Sequence, residues 1–450
     1  MHRLFGGLSK LQRKARASVY PFLRPFSVLF LMLGAAPAIS ETRVMDFKTA
    51  LSIADSANPE IRSGLSRIRE SQEHKKQIES NLLPQVSASA SYARLGFVPP
   101  GKKYLLGNSN NDFYADVTVR QLLFAGGKYR NQISAADTLT TIEKQKLSQA
   151  RRNIRLAVAR AYFETVKSRF AVSVQRDLIN RTRAQLTIAE LLFQGGKTSS
   201  LDVVRLRTQV LIAEGQLSAF ESQLKTRQFL LAQAIGVTDT CSVADSVLAD
   251  TPESLTVEMA FLAQELKQTP EMQAAEAARK KALLDEKSAK ADYFPTLSFN
   301  GGYNREEYRF FPGISNWNIG AAVTIPIYRG GGTRAQVAQA FERTLQADNT
   351  VRQTEVNLTA RLRSAVESMN DKKVKIGIAR QIVESADETV RTAELRYGTG
   401  KLSAFELIDA QNVYARSQQD FFNARVDYRI ALEELAVICP AVLNAKETGE

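Results

Sequence analysis

The sequence has few of the residues on which catalytic and metal sites depend. Its 450 residues include two histidines, two cysteines and one tryptophan. His2 lies at the N-terminus and His74 stands alone, which leaves no cluster of zinc ligands and no convincing serine or cysteine triad. The sequence therefore predicts neither an enzyme nor a protein with a metal or other cofactor.

Two glycine-rich segments resemble nucleotide-binding loops but lack the spacing that those loops need. The segment from Gly195 to Thr198 ends like a phosphate-binding loop, yet the first glycine of that motif would fall at Leu191. The segment from Gly330 to Gly332 has neither the spaced glycines nor the acidic residue of a dinucleotide site. We interpret both segments as turns.

Long apolar runs are also missing. After residue 40, no uninterrupted apolar run approaches the ~20 residues that a membrane-spanning helix requires. The hydrophobic share of 44% is nevertheless typical of a folded protein. If this chain crosses a membrane, it must do so with strands.

The first 40 residues have the composition of an export signal. A basic leader precedes a short apolar core, Phe26 to Ala36, and the small residues Ala36-Pro37-Ala38 offer a cleavage site. A membrane anchor is the alternative, and the shortness of the apolar core disfavours it. The leader carries six basic and no acidic residues, so its removal lowers the net charge from +13 by six, to +7. This smaller excess does not favour a nucleic-acid-binding protein.

The remainder of the chain is duplicated. At a shift of 211 residues, a helical stretch with the same opening and ending recurs: Asn58-Pro59-Glu60 and Leu83-Pro84 match Thr269-Pro270-Glu271 and Phe294-Pro295. At a shift of 204, two glycine turns recur: Gly126-Gly127 and Gly196-Lys197 match Gly330-Gly331 and Gly400-Lys401. The repeating unit is far longer than a solenoid repeat, so we expect one duplicated domain.

Each half contains the pattern of a very long helical hairpin. No proline or glycine occurs between Gly127 and Gln194, and Gly377 is the only such residue between Thr333 and Tyr397. A glycine turn follows each stretch, and glycine just past a helix end is a usual stop signal. The next segment then shows apolar residues at steps of seven, as in helices that pack through coiled-coil seams. These rows are Val203, Val210, Leu217, Leu224 and Leu231, and Leu407, Tyr414, Phe421, Tyr428 and Leu435.

Four short segments alternate between apolar residues and small or polar ones, as strands with one apolar face do. Each is about ten residues long, the length of a bilayer-spanning strand. An edge sheet of a soluble sandwich is the alternative, and the export signal disfavours it. Four strands cannot enclose a water-filled lumen, so further copies of the chain must seal their edges. We expect these residues to face lipid: Phe113, Val117, Leu297, Phe299, Trp317, Ile319 and Val323.

The two cysteines follow the ends of the two heptad helices, where the duplicated halves should meet. In an oxidising compartment this placement favours a disulfide between Cys241 and Cys439. Two partly buried thiols are the alternative, because the sequence does not determine the distance between them.

This pattern resembles the TolC-type outer-membrane efflux protein family, also called the outer membrane factors. The resemblance covers almost the whole mature chain, and the duplicated layout is more specific than any single motif. The motifs that carry it are Asn58-Pro59-Glu60-Ile61, Leu83-Pro84-Gln85, Leu123-Phe124-Ala125-Gly126-Gly127, Ala161-Tyr162-Phe163, Phe294-Pro295-Thr296-Leu297 and Ile325-Pro326-Ile327-Tyr328-Arg329-Gly330-Gly331.

The resemblance implies a mixed α and β membrane protein that assembles as a homotrimer. Each chain would give four strands to one twelve-stranded β-barrel in the lipid of the outer membrane of a Gram-negative bacterium. The coiled-coil helices would continue it as a periplasmic α-barrel. Such a duct passively conducts substrates from an inner-membrane pump, either an ABC transporter or a proton-driven pump, through a periplasmic adaptor. It serves tripartite efflux or type I secretion. The alternative is a periplasmic coiled-coil scaffold without a transport role.

The expected organisation combines the repeat with this resemblance. Its segments are a signal peptide at 1–40, periplasmic helices of repeat 1 at 41–84, an outer-membrane β-hairpin at 85–125, a long helical hairpin at 126–240, an equatorial segment with the first helix of repeat 2 at 241–294, a second outer-membrane β-hairpin at 295–329, a second long helical hairpin at 330–440, and a tail at 441–450.

The resemblance also implies a periplasmic gate at the hairpin tips. The gate tyrosine of the family aligns with Tyr397, and its acidic positions align with Asp202, Glu406 and Asp409. In a trimer, Glu406 and Asp409 would give two stacked rings of three carboxylates, because residues three apart share a helix face. A solvated acidic helix start is the alternative for these carboxylates. Leu402 stands where one known gate pattern has an arginine, and Arg205 and Lys401 are nearby candidate partners.

Overall fold

The computed structural model describes residues 43–107, 109–244 and 265–439. The expected signal peptide and the C-terminal tail lie outside the described residues. The helices are α1 Phe47–Ala57, α2 Pro59–Glu79, α3 Lys103–Leu106, α4 Lys128–Gln194, α5 Ser200–Ile235, α6 Pro270–Lys290, α7 Gly332–Gly398 and α8 Ala404–Ile438. The strands are β1 Arg43–Met45, β2 Gln85–Arg94, β3 Asn111–Ala125, β4 Cys241–Val243, β5 Thr296–Glu307 and β6 Ser315–Thr324. Short 3-10 helices span Ser80–Leu82, Pro100–Lys102, Leu266–Gln268 and Ala291–Tyr293.

The principal helices and strands recur in the same order in both halves of the described chain, as the sequence predicted. Helices α2 and α6 each have 21 residues, and each begins with a proline after a capping side chain, that of Asn58 or Thr269. Each is followed by a 3-10 turn and then by two strands. Helices α4 and α7 each have 67 residues, so each is ~100 Å long. Each turns back through a short connection into a heptad helix, α5 or α8.

Glycines start the long helices in the same way in both repeats. Gly127 and Gly331 both have φ 81°, in the left-handed region that favours glycine. At Gly126 (φ 61°) a side chain is excluded as well, because a Cβ atom there would lie 2.6 Å from Cβ of Phe294. The chain can therefore leave the sheet and enter α4 only with glycine at these positions.

The four long strands form one antiparallel sheet in the order β2-β3-β5-β6. Directly opposite residues of antiparallel strands share a face, so the register tests the predicted alternation. Val117 lies opposite Ala88 on one side and Tyr303 on the other, and Tyr303 lies opposite Trp317. The apolar rows of all four strands therefore lie on one face, which confirms the alternation. The serines of β2 share the other face with Asp116, Thr118 and Asn304.

The helices pack around three apolar clusters. The Tyr162 cluster joins α1, α4, α5 and α8 through Tyr162, Leu231 and Val426. The Leu362 cluster joins α6, α7 and α8 through Met272, Leu362 and Leu435. The third, the Tyr397 cluster, lies at the hairpin tips. Along both heptad rows every residue is buried or half-buried, as the seven-residue spacing predicted.

The disulfide that the sequence favours, between Cys241 and Cys439, stays a prediction. Cys241 is on β4 in the Tyr162 cluster, whereas Cys439 follows α8 in the Leu362 cluster, and both side chains are buried. Burial raises the pKa of the Cys439 thiol to about 11. Cys439 directly follows α8, whereas Cys241 lies six residues beyond the end of α5, so the two cysteines do not occupy equivalent positions in the repeat.

Within the described ranges, no helix has both the length and the apolar composition needed to cross a membrane.

Candidate functional site

The two helical hairpins meet at their tips. The turn at Gly196 (φ 71°) connects α4 to α5, and the turn at Gly400 (φ 73°) connects α7 to α8. A side chain at Gly400 would lie 3.8 Å from the carbonyl oxygen of Lys197, so the two turns are in close approach. The Tyr397 cluster fills the space between the four helix ends with Ala189, Val203, Leu206, Val390, Ala393, Tyr397, Ala404, Leu407 and Ala410.

Tyr397 lies at the centre of this cluster, near the end of α7. Its side chain is 1% exposed, and its hydroxyl has no hydrogen-bond partner within the described residues. Burial raises the pKa of the Tyr397 hydroxyl, and the negative charge of Asp202 raises it further. Asp202, in the first turn of α5, instead accepts a hydrogen bond from the Thr198 hydroxyl at 2.9 Å. The structure thus brings Tyr397 and Asp202 into electrostatic range without joining them.

Glu406 has a structural role at the start of α8. Ser403 and Glu406 form a capping box, in which the Ser403 hydroxyl caps the backbone N–H of Glu406 and the Glu406 carboxylate accepts from Ser403 at 2.7 and 3.1 Å. The hydrogen bonds from Ser403 lower the pKa of Glu406. Glu406 is exposed, and so is Asp409 three residues later. Both carboxylates line a groove of about 900 Å³ between α7 and α8.

The two candidate cationic partners are placed at the tips but are not engaged there. Arg205 and Lys401 are exposed, and neither forms an ion pair with any acidic side chain among the described residues. Lys401 contributes its backbone N–H to the end of α7, where it donates to the carbonyl of Arg396 at 2.9 Å. Within the described part of the chain, therefore, neither cation links the two hairpins.

A layer of polar residues next to the Tyr397 cluster, which the sequence did not reveal, links the two hairpins instead. Arg181 of α4 lies 3.5 Å from the carboxylate of Glu394 in α7, and its guanidinium lies 5.5 Å from the ring centre of Tyr414 in α8. The same carboxylate accepts a hydrogen bond from Gln411, and Gln411 in turn accepts one from Thr182. No sequence signal marks this layer, because its members come from three helices that meet only in the folded chain.

The tips supply carboxylates, cations and buried hydroxyls. No group of three or more potential metal ligands occurs in the described part of the chain. Exposed carboxylates on one helix face attract cations, and ion pairs between helix ends can hold two hairpins in a fixed relation. The site therefore has the groups for electrostatic selection and for gating.

A family model described as "Outer membrane efflux protein" matches residues 50–237 and 261–439. The chain belongs to this outer membrane efflux protein family. The two matched segments correspond to the two repeats. It is accordingly a protein of the Gram-negative outer membrane.

Relatives of this efflux protein are similar over most of their length. The outer membrane efflux protein BepC of Brucella suis biovar 1 (strain 1330) is 24% identical over 92% of this chain and 87% of its own. The outer membrane protein TolC of Escherichia coli (strain K12) is 23% identical over 83% of this chain and 78% of its own.

Solved structures share the fold of this efflux protein. A structure of CusC, described by its conformational changes on folding and transmembrane channel formation, has a TM-score of 0.78 at 18% identity, over 88% of this chain and 93% of that one. The open state of the MtrE outer membrane channel of Neisseria gonorrhoeae has a TM-score of 0.72 at 18% identity, over 87% and 88%. The combination of long helices and a four-stranded sheet is therefore a fold of outer-membrane channels.

Proposed function

We propose that this chain is the outer-membrane exit duct of a tripartite efflux or type I secretion system. It conducts substrates passively and performs no chemistry of its own. The observation that carries the proposal is the four-stranded sheet with a single apolar face, placed at one end of two duplicated 67-residue helices. Such a sheet suits lipid on one face and water on the other.

The sheet supports assembly as a homotrimer. Strands β2 and β6 are the two edges of the sheet, and each pairs on one side only within the described chain. A strand edge in a bilayer must be satisfied by another strand, because lipid offers no hydrogen bonds. Three copies joined edge to edge would give a closed barrel of twelve strands.

The residues at the two ends of the sheet support its position in the outer membrane. Aromatic girdles mark both interfaces of membrane barrels. Toward the loops, the apolar face carries Tyr92, Phe113 and Trp317, and toward the helices the exposed aromatic residues are Tyr293 and Phe294. The apolar residues between these bands would then face lipid.

The helices would form the wall of a periplasmic duct. Apolar residues remain exposed on the single protomer along α7, at Val374, Ile378 and Ile382, and along α5, at Val204 and Leu211. Exposed apolar rows of this length mark surfaces that a neighbouring protein covers. Neighbouring protomers would cover them and continue the barrel as a cylinder ~100 Å long.

The hairpin tips would form the periplasmic gate. Tyr397 lies inside the tip, Asp202 is half-buried beside it, and Glu406 and Asp409 line the exposed groove. In a trimer the last two would form two rings of carboxylates around a narrow entrance. Arg205 and Lys401 have no acidic partner among the described residues, so they remain candidates for links between protomers.

The partners of the duct would be a periplasmic adaptor and an inner-membrane pump, of the ABC or the proton-driven type. The names of several relatives support efflux, among them BepC and an antibiotic efflux pump protein, ArpC of Pseudomonas putida. Deletion of the gene distinguishes between the two classes of transported substrate. Loss of tolerance to small toxic compounds indicates efflux, and loss of a polypeptide from the medium indicates type I secretion.

The experiment that tests the duct uses the purified full-length protein in a planar lipid bilayer. We expect outer-membrane extracts to contain a trimer whose gel migration changes on heating, and the trimer to form ion-conducting channels. The matched control is the same protein after boiling. A protein that stays soluble in the periplasm and conducts no ions would instead be the coiled-coil scaffold.

A further inference from the structure

The connection between β2 and β3 is folded back against the sheet. It contains the 3-10 turn Pro100–Lys102 and helix α3, which contacts β5. Leu106 at the end of α3 is completely buried, and Val98 is buried as well. A loop that carries buried apolar side chains has a defined position.

Lys102 fastens this connection to two different strands. Its ammonium lies 2.8 Å from Oδ2 of Asp112 in β3 and 2.6 Å from Oε1 of Glu306 in β5. The Asp112 side chain is 8% exposed and that of Glu306 17%, whereas Lys102 is 43% exposed. One cation therefore neutralises two carboxylates that have little access to water.

The pairing of the strands shows which face of the sheet Lys102 lies against. Asp112 lies opposite Ala93, two residues beyond Ser91 in the polar row of β2. Glu306 lies two residues beyond Asn304, in the polar row of β5. Since residues two apart share a face of a strand, both carboxylates belong to the polar face. The β2–β3 connection thus folds over the polar face of the sheet.

The neighbouring connection, between β5 and β6, folds the other way. The ring of Phe310 lies 5.6 Å from that of Phe113, which in turn lies 4.8 Å from the ring of Tyr92. Phe113 and Tyr92 belong to the apolar face. The two connections at this end of the sheet therefore diverge, one toward each face.

We propose that the β2–β3 connection is an inward-folded lip that narrows the outer mouth of the duct, and that Lys102 is the latch that holds it. The proposal rests on the proposed function, in which the polar face lines the lumen. Three lips, one from each protomer, would then set the size of the molecules that pass the mouth. Lys102 acts as a positioning residue.

The electrostatics explain why the latch holds. The other carboxylate oxygen of Asp112, Oδ1, is buried without a hydrogen-bond partner among the described residues. Without the ammonium, two poorly solvated negative charges would lie close together, which is unfavourable. Movement of the lip away from the sheet would return both carboxylates to water.

The test measures the size of the mouth by polymer exclusion in planar bilayers. Poly(ethylene glycols) of graded mass are added to the chamber that faces the loops, and the largest polymer that still lowers the conductance is recorded. We expect Lys102→Met to raise this limiting mass several-fold, and the limit measured from the opposite chamber to stay unchanged. Lys102→Arg, which keeps the charge, should retain the wild-type limit.

A neighbouring lysine provides the matched control. Lys103 is exposed and forms no ion pair with any described residue, so Lys103→Met makes the same change of charge without touching the latch. The double variant Asp112→Asn/Glu306→Gln removes the acceptors. A latch predicts that loss of the donor and loss of the acceptors both widen the mouth, even though they change its charge in opposite directions.

The possible outcomes test the latch proposal separately from the proposed function. Equal limits for wild type and Lys102→Met, in channels that conduct, overturn the latch and leave the proposed function intact. Equal widening by Lys103→Met also overturns it, because the effect would then be one of charge alone. If wild type forms no channel, both proposals fail. If Lys102→Met does not assemble as a trimer, the double variant decides by the same limit.

Discussion

Arg155 of α4 donates a hydrogen bond at 3.2 Å to Glu433 of α8, although 278 residues separate them in the sequence. Arg429 binds the second oxygen of the same carboxylate at 2.8 Å. The Glu433 side chain is only 1% exposed. This ion-pair group joins the first long helix of repeat 1 to the last helix of repeat 2, so it couples the two halves of the chain.

We expect Glu433→Gln to destabilise the protein strongly. Breaking a buried ion pair by removing one partner costs about 3–5 kcal/mol, because the other charge is left uncompensated. The partly exposed Arg155 should place the effect toward the lower end of this range. Thermal or denaturant unfolding of the detergent-solubilised protein measures the loss of stability. Glu434→Gln is the control, because Glu434 pairs with the exposed Arg160 and should cost less than about 1 kcal/mol. Equal effects of the two substitutions would show that the buried ion pairs of Glu433 stabilise the protein no more than the exposed pair of Glu434.

The two faces of the sheet should respond differently to arginine. Val117→Arg or Ile319→Arg places a charge on the apolar face and should cost about 2–4 kcal/mol at mid-membrane. Ser89→Arg lies on the polar face opposite Asp116 and should be mild. Asn300→Arg is a less suitable control, because Asn300 lies opposite Arg120. The amount of heat-modifiable trimer in the outer membrane reports the difference, and similar defects on both faces would refute the lipid-facing assignment.

The carboxylates at the tips should make the entrance selective for cations. The variant Glu406→Gln/Asp409→Asn should lower the cation selectivity of single channels and weaken their block by multivalent cations. Glutamine is chosen at Glu406 because it can preserve the capping box with Ser403, so that only the charge is lost. Glu367→Gln, on the exposed surface of α7 far from the tip, is the control. Unchanged selectivity in the tip variant would rule out the rings.

The lowered pKa of Glu406 gives this selectivity a pH dependence. The hydrogen bonds from Ser403 stabilise the charged form, so Glu406 should remain ionised below the usual range of glutamate. The contribution of Glu406 to helix capping is present above its unfolded-state pKa and is lost as the pH falls through its folded-state pKa. Selectivity should therefore persist under mildly acidic conditions in wild type, and a loss near the ordinary glutamate pKa would contradict the expectation.

The hydroxyl of Tyr397 should not contribute to holding the tips together within a protomer. It is buried without a hydrogen-bond partner among the described residues, so Tyr397→Phe should leave tip stability unchanged or raise it by about 1 kcal/mol. Tyr397→Ala should cost about 3–5 kcal/mol, because it opens a cavity in the Tyr397 cluster. The rate of limited proteolysis at the glycine turns measures both. Faster cleavage in the phenylalanine variant would show that the hydroxyl does form a link.

The two cysteines should behave as buried thiols. The raised pKa of Cys439 keeps it protonated, and thiols react as thiolates, so maleimide should label the protein only after denaturation. A reducing agent should leave the unfolding temperature unchanged. The mass of the intact protein under non-reducing conditions is the direct check, since a disulfide would lower it by two hydrogens.

The sequence by itself determined the elements and their repetition. Glycine turns, long stretches with no proline and at most one internal glycine, and heptad or alternating apolar rows are local signals, so the long helices, their hairpins and the apolar face of each strand could be predicted from them. The matched motifs at shifts of 211 and 204 residues predicted the two-repeat layout, because similar motifs in the same order indicate corresponding elements.

Only the tertiary structure decided which elements meet. The pairing of β3 with β5, which joins the two hairpins into one sheet, depends on residues almost 200 positions apart, such as Val117 and Tyr303. For the same reason the sequence did not show that the two cysteines pack in different clusters, and it did not reveal the contacts of Glu394 with Arg181 and of Lys102 with Glu306. Local patterns specify which face of an element is apolar. The partner of a polar side chain depends on how whole helices and strands pack, and that packing minimises the free energy of the entire chain.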